Sequence, residues 1–261
     1  MQLLYMTYCR TILNYGVSLL LVFIIVLFEK VICHSLAAKQ GILALSVKAP
    51  ILVVPHGIYD IFDLTNISQD DARNKIAGIV RDDFVILFFG HLEPRKGLLE
   101  FLACAKQMEN RPHFKFLLAG SNSVAGHASR YAMALEESRN APNVILHDRR
   151  IPFEEVENYI AASNVIALPY LEGTTSGVLK IALAFSKPVI ATRVGDFPEQ
   201  IPAGAGVIIE NDSCLVDSLM SALLEVENNY ASYKQAMSEA GQDAQWSIVA
   251  DKIIKFIGFK S

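Results

Sequence analysis

The sequence predicts an α/β fold built on a doubly wound parallel sheet, and three observations carry that expectation. Short runs at residues 51–54, 84–89, 114–119, 143–146, 164–168, 188–192 and 206–209 are almost continuously apolar, as strands covered on both faces are. These runs alternate with stretches of helical periodicity. Polar, glycine-containing turns at residues 90–97, 120–122 and 170–177 follow the ends of three of the strands. In an open parallel sheet such turns gather at the carboxyl edge, where ligands bind.

Taken in order, residues 11–28 carry no charge and are long enough to span a bilayer. Asn14, Gly16 and Ser18 interrupt the run, and flanking positive charge is limited to Arg10 and Lys30. A buried helix or a partner-covered surface is therefore the competing reading. Residues 30–34 read as a short strand, and residues 51–54 as another, closed by Pro55-His56-Gly57. Residues 68–78 form a polar helical segment with Asp70 and Asp71 in its first turn. After the strand at 84–89, a helix over 97–110 places Leu98, Phe101, Leu102 and Ala105 on one face. The strand at 114–119 ends in Gly120-Ser121-Asn122, and helices follow at 125–139 and 153–161. Gly177 opens a helix between the strands at 164–168 and 188–192. A last pair, a strand at 206–209 and a helix at 213–226 capped by Asp212 or Ser213, completes the series.

The chain has 261 residues, 52% of them hydrophobic, and a net charge of −4. That is ample for a buried core and argues against a basic surface for nucleic acid. Cys9, Cys33, Cys104 and Cys214 form no CxxC pair, which fits reduced thiols in a cytoplasmic protein. His56, His91 and His147 stand alone near strand ends, so no metal site is expected. The chain lacks GxGxxG, GxxxxGK[ST] and GxSxG, so a dinucleotide fingerprint, a P-loop and a hydrolase elbow are unsupported.

What remains is an anion-binding crevice. Thr174, Thr175, Ser176 and Gly177 sit where a helix amino end leaves free N–H groups and positive dipole, suited to a diphosphate. Arg95 and Lys96 lie in a neighbouring turn and add positive charge.

At these residues the chain resembles the group 1 (family 4 type) glycosyltransferases of the GT-B fold, specifically their C-terminal, donor-binding half. The motifs are VPHG (54–57), FFGHLEPRKG (88–97), LLAGSN (117–122) and, most specific, the stretch ASNVIALPYLEGTTSGVLKIALAFSKPVIATRVGDFPEQI (162–201). The segment 246–257 is similar to the family's closing helix. The resemblance implies hexosyl transfer from a nucleotide sugar with retention, without metal or cofactor, in polysaccharide or other glycan biosynthesis. It implies that Lys96 binds the donor phosphates, with His91 and Arg95 beside it. Ser176 and the backbone N–H groups of Gly177, Val178 and Leu179 would hold the distal phosphate, and Glu172 would contact the donor sugar as the catalytic carboxylate.

Three departures qualify the resemblance. Lys180 stands where the family places a second glutamate at the ribose, and a lysine can only donate there. His91 replaces an arginine, leaving a pH-dependent phosphate partner. Few residues precede residue 51, so residues 1–49 read as the last helix and strand of an N-terminal domain, 50–240 as the donor domain and 241–261 as a closing helix. The expectation is a truncated chain that works with a separate N-terminal half and a glycan or lipid-linked acceptor, membrane contact being open to residues 11–28. The alternatives are a non-catalytic partner module of the same fold and a membrane-anchored scaffold.

Overall fold

The computed structural model describes residues 3–6, 29–123, 129–173 and 175–258. The apolar run at 11–28, Cys9 and Thr174 lie outside the described residues. Two compact units divide the chain: Tyr59–Gly241 is one, and Met1–Ile58 with Gln242–Ser261 is the other.

The first unit holds strands β1 (Leu3–Met6) and β2 (Lys30–Cys33), helix α1 (Leu36–Ala44) and strand β3 (Ile51–Val53), the strands forming a parallel sheet in that order. The alternation of β2 explains its packing. Val31 and Cys33 face Ile42 of α1, while Ile32 faces the other way, toward Val54 and Val249. Ser35 caps α1 by accepting from the amide of Ala38 at 3.0 Å. Neither β1 nor α1 is among the sequence expectations.

The second unit runs through α2 (Gln69–Asn74), β4 (Phe84–Phe89), α3 (Leu98–Gln107), β5 (Phe114–Gly120), α4 (Ser129–Ser138), β6 (Val144–Asp148), α5 (Val156–Ala162), β7 (Val165–Leu168), α6 (Gly177–Ala184), β8 (Val189–Thr192), α7 (Phe197–Gln200), β9 (Gly206–Ile209), α8 (Leu215–Asn228) and α9 (Tyr230–Asp243). α10 (Trp246–Ile257) belongs to the first unit and contributes Val249 to its core. Lys30 Nζ donates to the Phe256 carbonyl at 2.7 Å and so ties β2 to α10.

The six strands β4–β9 pair in parallel in the order β6-β5-β4-β7-β8-β9, as the doubly wound expectation requires. From β4 the chain winds outward through β5 and β6, then returns to β7 on the other side of β4. Ile86 and Leu87 of β4 are in register with Val165 and Ile166 of β7. The strand order therefore reverses between these two strands, at the topological switch point. The core lies around them: Ile86, Phe88, Phe101, Phe116 and Leu223 are buried together, as the apolar runs predict.

Several helices differ from expectation in their ends: α2 stops at Asn74 and α3 at Gln107, short of the expected 78 and 110. The segment at 153–161 opens with a 3-10 turn, Phe153–Glu155, before α5. α8 starts at Leu215 without a side-chain cap, because Asp212 Oδ1 accepts from the Cys214 amide at 2.8 Å, ahead of the helix. α4 is described from Ser129 on. Among the described residues no helix is long and apolar enough to cross a membrane.

Candidate active site

The loops after β4, β5 and β7 meet at the switch point, and two glycines show how closely. A Cβ on Gly97, whose φ is +75°, would lie 1.9 Å from the carbonyl oxygen of Pro169. One on Gly120 would lie 1.8 Å from the carbonyl oxygen of Gly90. Only glycine permits either approach. The amides of Leu171 and Glu172 donate to the Arg95 carbonyl at 2.8 and 3.2 Å, and the Leu92 amide donates to the Ser121 carbonyl at 2.9 Å. The three turns form one hydrogen-bonded rim.

A cavity of about 300 Å³ opens between the loops after β4 and β7. Arg95 and Lys96, from a 3-10 turn over Pro94–Lys96, supply its charge. Ser176, Gly177 and Val178 supply the amino end of α6, and Tyr59, Phe62 and Tyr170 supply aromatic walls. Lys96 is buried, with 7% of its surface exposed. Its Nζ stands 3.8 Å from Glu93 Oε1 and 5.8 Å from the centre of the Tyr170 ring. The same Glu93 oxygen lies 2.6 Å from Arg95 Nη2. Burial pushes the Lys96 ammonium below the ordinary lysine range; Glu93 opposes that shift and Arg95 adds to it. An anion entering the cavity would favour the charged form.

Ser176 is the N-cap of α6 by position, yet its side chain does not cap. Its Oγ pairs with the Tyr170 hydroxyl at 3.1 Å, so among the described residues no side chain caps the first turn of α6. Burial raises the Tyr170 phenol above its ordinary range, and the Thr192 hydroxyl fixes Tyr170 from behind by donating to its carbonyl at 2.5 Å. Two cations and an open helix end directed at one cavity suit a ligand carrying two negative charges.

The structure brings Arg95, Lys96, Ser176, Gly177 and Val178 together around this cavity. Four other residues singled out from the sequence are not among those lining it. His91 is exposed, with Nδ1 3.3 Å from the hydroxyls of Ser121 and Ser123. Glu172 is exposed in the loop before α6. The Leu179 side chain packs fully in the interior, while its amide lies in the first turn of α6. Lys180 is 3% exposed and donates to Gln200 Oε1 at 2.5 Å; burial pushes its ammonium down to about 8, with Asp196 partly opposing. It does not line the cavity.

Tyr59, Phe62 and Tyr170 were not singled out from the sequence. Tyr170 could have been found, since it lies two residues past the strand that feeds the central turn. Tyr59 and Phe62 could not, because they reach the cavity through contacts with α5 and α6, far along the chain. Among the described residues, no group of three or more His, Cys, Asp and Glu side chains is placed to hold a metal ion. A larger cavity of about 460 Å³ opens between α3 and α4, lined by Leu102, Lys106, Ala134 and Val144 among others. It sits at the amino end of β6 and receives none of the three loops.

Fold and site together define an α/β domain of the doubly wound class, with an anion-suited crevice at its switch point. The chain belongs to the glycosyl transferases group 1 family, whose pattern matches residues 83–229, more than half of its length. It is 27% identical over 207 residues to a GDP-mannose-dependent monoacylated alpha-(1-6)-phosphatidylinositol monomannoside mannosyltransferase of Corynebacterium glutamicum, covering 74% of this chain and 52% of that protein. It is 26% identical over 213 residues to a D-inositol 3-phosphate glycosyltransferase of Corynebacterium diphtheriae, covering 79% and 50%. The chain thus spans about half the length of the curated relatives it matches. In structure it is similar to a sucrose-phosphate synthase from Thermosynechococcus elongatus, with a TM-score of 0.74 and 19% identity, covering 98% of this chain and 67% of that one. It is likewise similar to Anabaena HepE in complex with UDP and glucose, with a TM-score of 0.75 and 14% identity, covering 99% and 71%. These structural likenesses establish the fold.

Proposed function

We propose that the chain is the donor-binding half of a retaining, metal-independent glycosyltransferase of the GT-B fold and family 4 type, acting on a nucleotide sugar. The observation that carries this reading is the convergence of Lys96, Arg95 and the amino end of α6 on one cavity. The distal phosphate of the donor rests on the amides of Gly177, Val178 and Leu179. Lys96 donates to it, each charge-assisted bond adding about 1.5–3 kcal/mol. As the bond to the sugar breaks, negative charge grows on that phosphate, and fixed N–H groups with a cation stabilise it where it forms. Here the protein supplies the positive charge that a metal ion supplies elsewhere, and Glu172 contacts the departing sugar.

The donor class is supported by the relatives: one is named for GDP-mannose, and HepE is described with UDP-glucose. In this reading the unit Tyr59–Gly241 forms the donor domain, and the glycan or lipid-linked acceptor is held outside it.

Calorimetric titration with UDP-glucose, GDP-mannose, UDP and GDP tests the proposal. Saturable binding of at least one nucleotide with its diphosphate is expected. Absence of binding to all four would favour a non-catalytic partner module of the same fold.

A further inference from the structure

We propose that Tyr59 and Phe62 form the wall that receives the sugar of the donor, and so determine which sugar the site accepts. The inference rests on the function proposed above and goes beyond it, because neither residue belongs to the motifs that suggested that function.

Both residues lie on a short segment that includes a 3-10 turn, Asp60–Phe62, and both line the cavity that holds Lys96 and Gly177. The segment is fixed from three sides. The Tyr59 amide donates to the Lys180 carbonyl of α6 at 3.2 Å. The Phe62 ring stacks at a tilt on Phe153, their centres 4.9 Å apart. Beyond it, the amides of Leu64 and Thr65 donate to Glu157 Oε2 at 2.6 and 3.0 Å, and the Thr65 hydroxyl donates to Glu157 Oε1. Glu157 itself is buried at the start of α5. A segment held this way presents its rings in one place instead of collapsing into the cavity.

Position then identifies the ligand group. The Tyr59 ring stands 3.2 Å from where a Cβ of Gly177 would be, directly beside the amino end of α6. A phosphate resting on those amides has this ring as a neighbour, and the group esterified to that phosphate is the sugar. A pyranose presents a face of C–H bonds that packs on aromatic rings, whereas the charged phosphates turn to Arg95 and Lys96.

The test is calorimetry on the full chain and on Tyr59→Leu and Phe62→Leu, with UDP-glucose against UDP and GDP-mannose against GDP. The ratio of nucleotide-sugar to diphosphate affinity should fall about fivefold to tenfold in each variant, the worth of one aromatic contact. Tyr59→Phe, which keeps the ring, should keep the ratio. An unchanged ratio in both leucine variants overturns the inference while leaving the proposed function standing. Failure of the parent chain to bind any of the four ligands overturns both. A measurement without variants guards against misfolding: in the parent chain, saturation of aromatic protons should transfer to the sugar protons of the bound donor more strongly than to the ribose protons, and the reverse order would also overturn the inference.

Discussion

The Lys96 ammonium lies over the Tyr170 ring, 5.8 Å from its centre, and the hydroxyl of that ring meets Ser176 Oγ at 3.1 Å. One tyrosine thus joins the cationic loop after β4 to the amino end of α6. The ring face attracts the ammonium, while its hydroxyl holds the Ser176 side chain off the helix end. Positive charge and open amides are kept in the same cavity.

Lys96→Ala is expected to weaken binding of a nucleoside diphosphate by about tenfold or more, the loss of a charge-assisted bond. The deficit should be larger at low salt, because screening weakens attraction to phosphate in the parent. Titrations at two ionic strengths check this, and equal affinities for parent and variant at low salt would refute it.

Gly177→Val is expected to lower diphosphate affinity by about tenfold or more with the chain still folded. A Cβ at this position already approaches the Tyr59 ring at 3.2 Å, and a branched side chain would stand where the phosphate comes in. The position is exposed at the helix end, which limits the effect on stability. Thermal melts beside the titration separate the two.

Glu157→Ala is expected to destabilise the chain by about 1–3 kcal/mol, because the Leu64 and Thr65 amides lose their acceptor. Burial raises the Glu157 carboxyl, but the Thr65 hydroxyl, the amides of Leu64 and Thr65, and Lys75 more than reverse this, leaving it below the usual carboxylate range. Its contribution is therefore complete above the ordinary glutamate pKa and disappears as pH falls through the depressed folded value. Denaturant unfolding at neutral and acid pH should show the gap between parent and variant closing toward acid.

Lys187 tests stability at alkaline pH, with a slope of the same sign. Its Nζ donates to the carbonyls of Ala161 and Ser163 at 2.8 and 2.7 Å. Burial pushes its ammonium down to about 7, and Lys234 and Arg73 push in the same direction. The unfolded chain keeps that proton up to the ordinary value of 10.5. Between these values the unfolded state binds more protons, so stability should rise with pH by on the order of a few kcal/mol. Lys180, pushed down to about 8, adds a slope of the same sign. Urea unfolding from about pH 7 to 9.5 should show the rise, and Lys187→Met should flatten it.

The sheet was legible because burial on both faces leaves a plain record. β4 occupies Phe84–Phe89, with five of its six residues buried, and the apolar run marks the same bounds. The central turn was legible through Gly177, which opens α6 where expected. α9 was not, since it buries only Met237 and Gly241 and has no apolar stripe to read. Lys180 shows a different limit. Its place on α6 follows from the sequence, but the direction of its side chain is decided by Gln200 on α7. Tyr59 and Phe62 arrive at the cavity by tertiary contacts alone. Their anchor, Glu157, accepts from Leu64 across 93 positions of sequence, a separation that no local pattern reports.

A crystal structure of the chain with UDP or GDP bound measures the central claim most directly. The distal phosphate should lie within hydrogen-bond distance of both Lys96 Nζ and the Gly177 amide. A nucleotide bound with its phosphates away from these two groups, for example in the groove between α3 and α4, would contradict it.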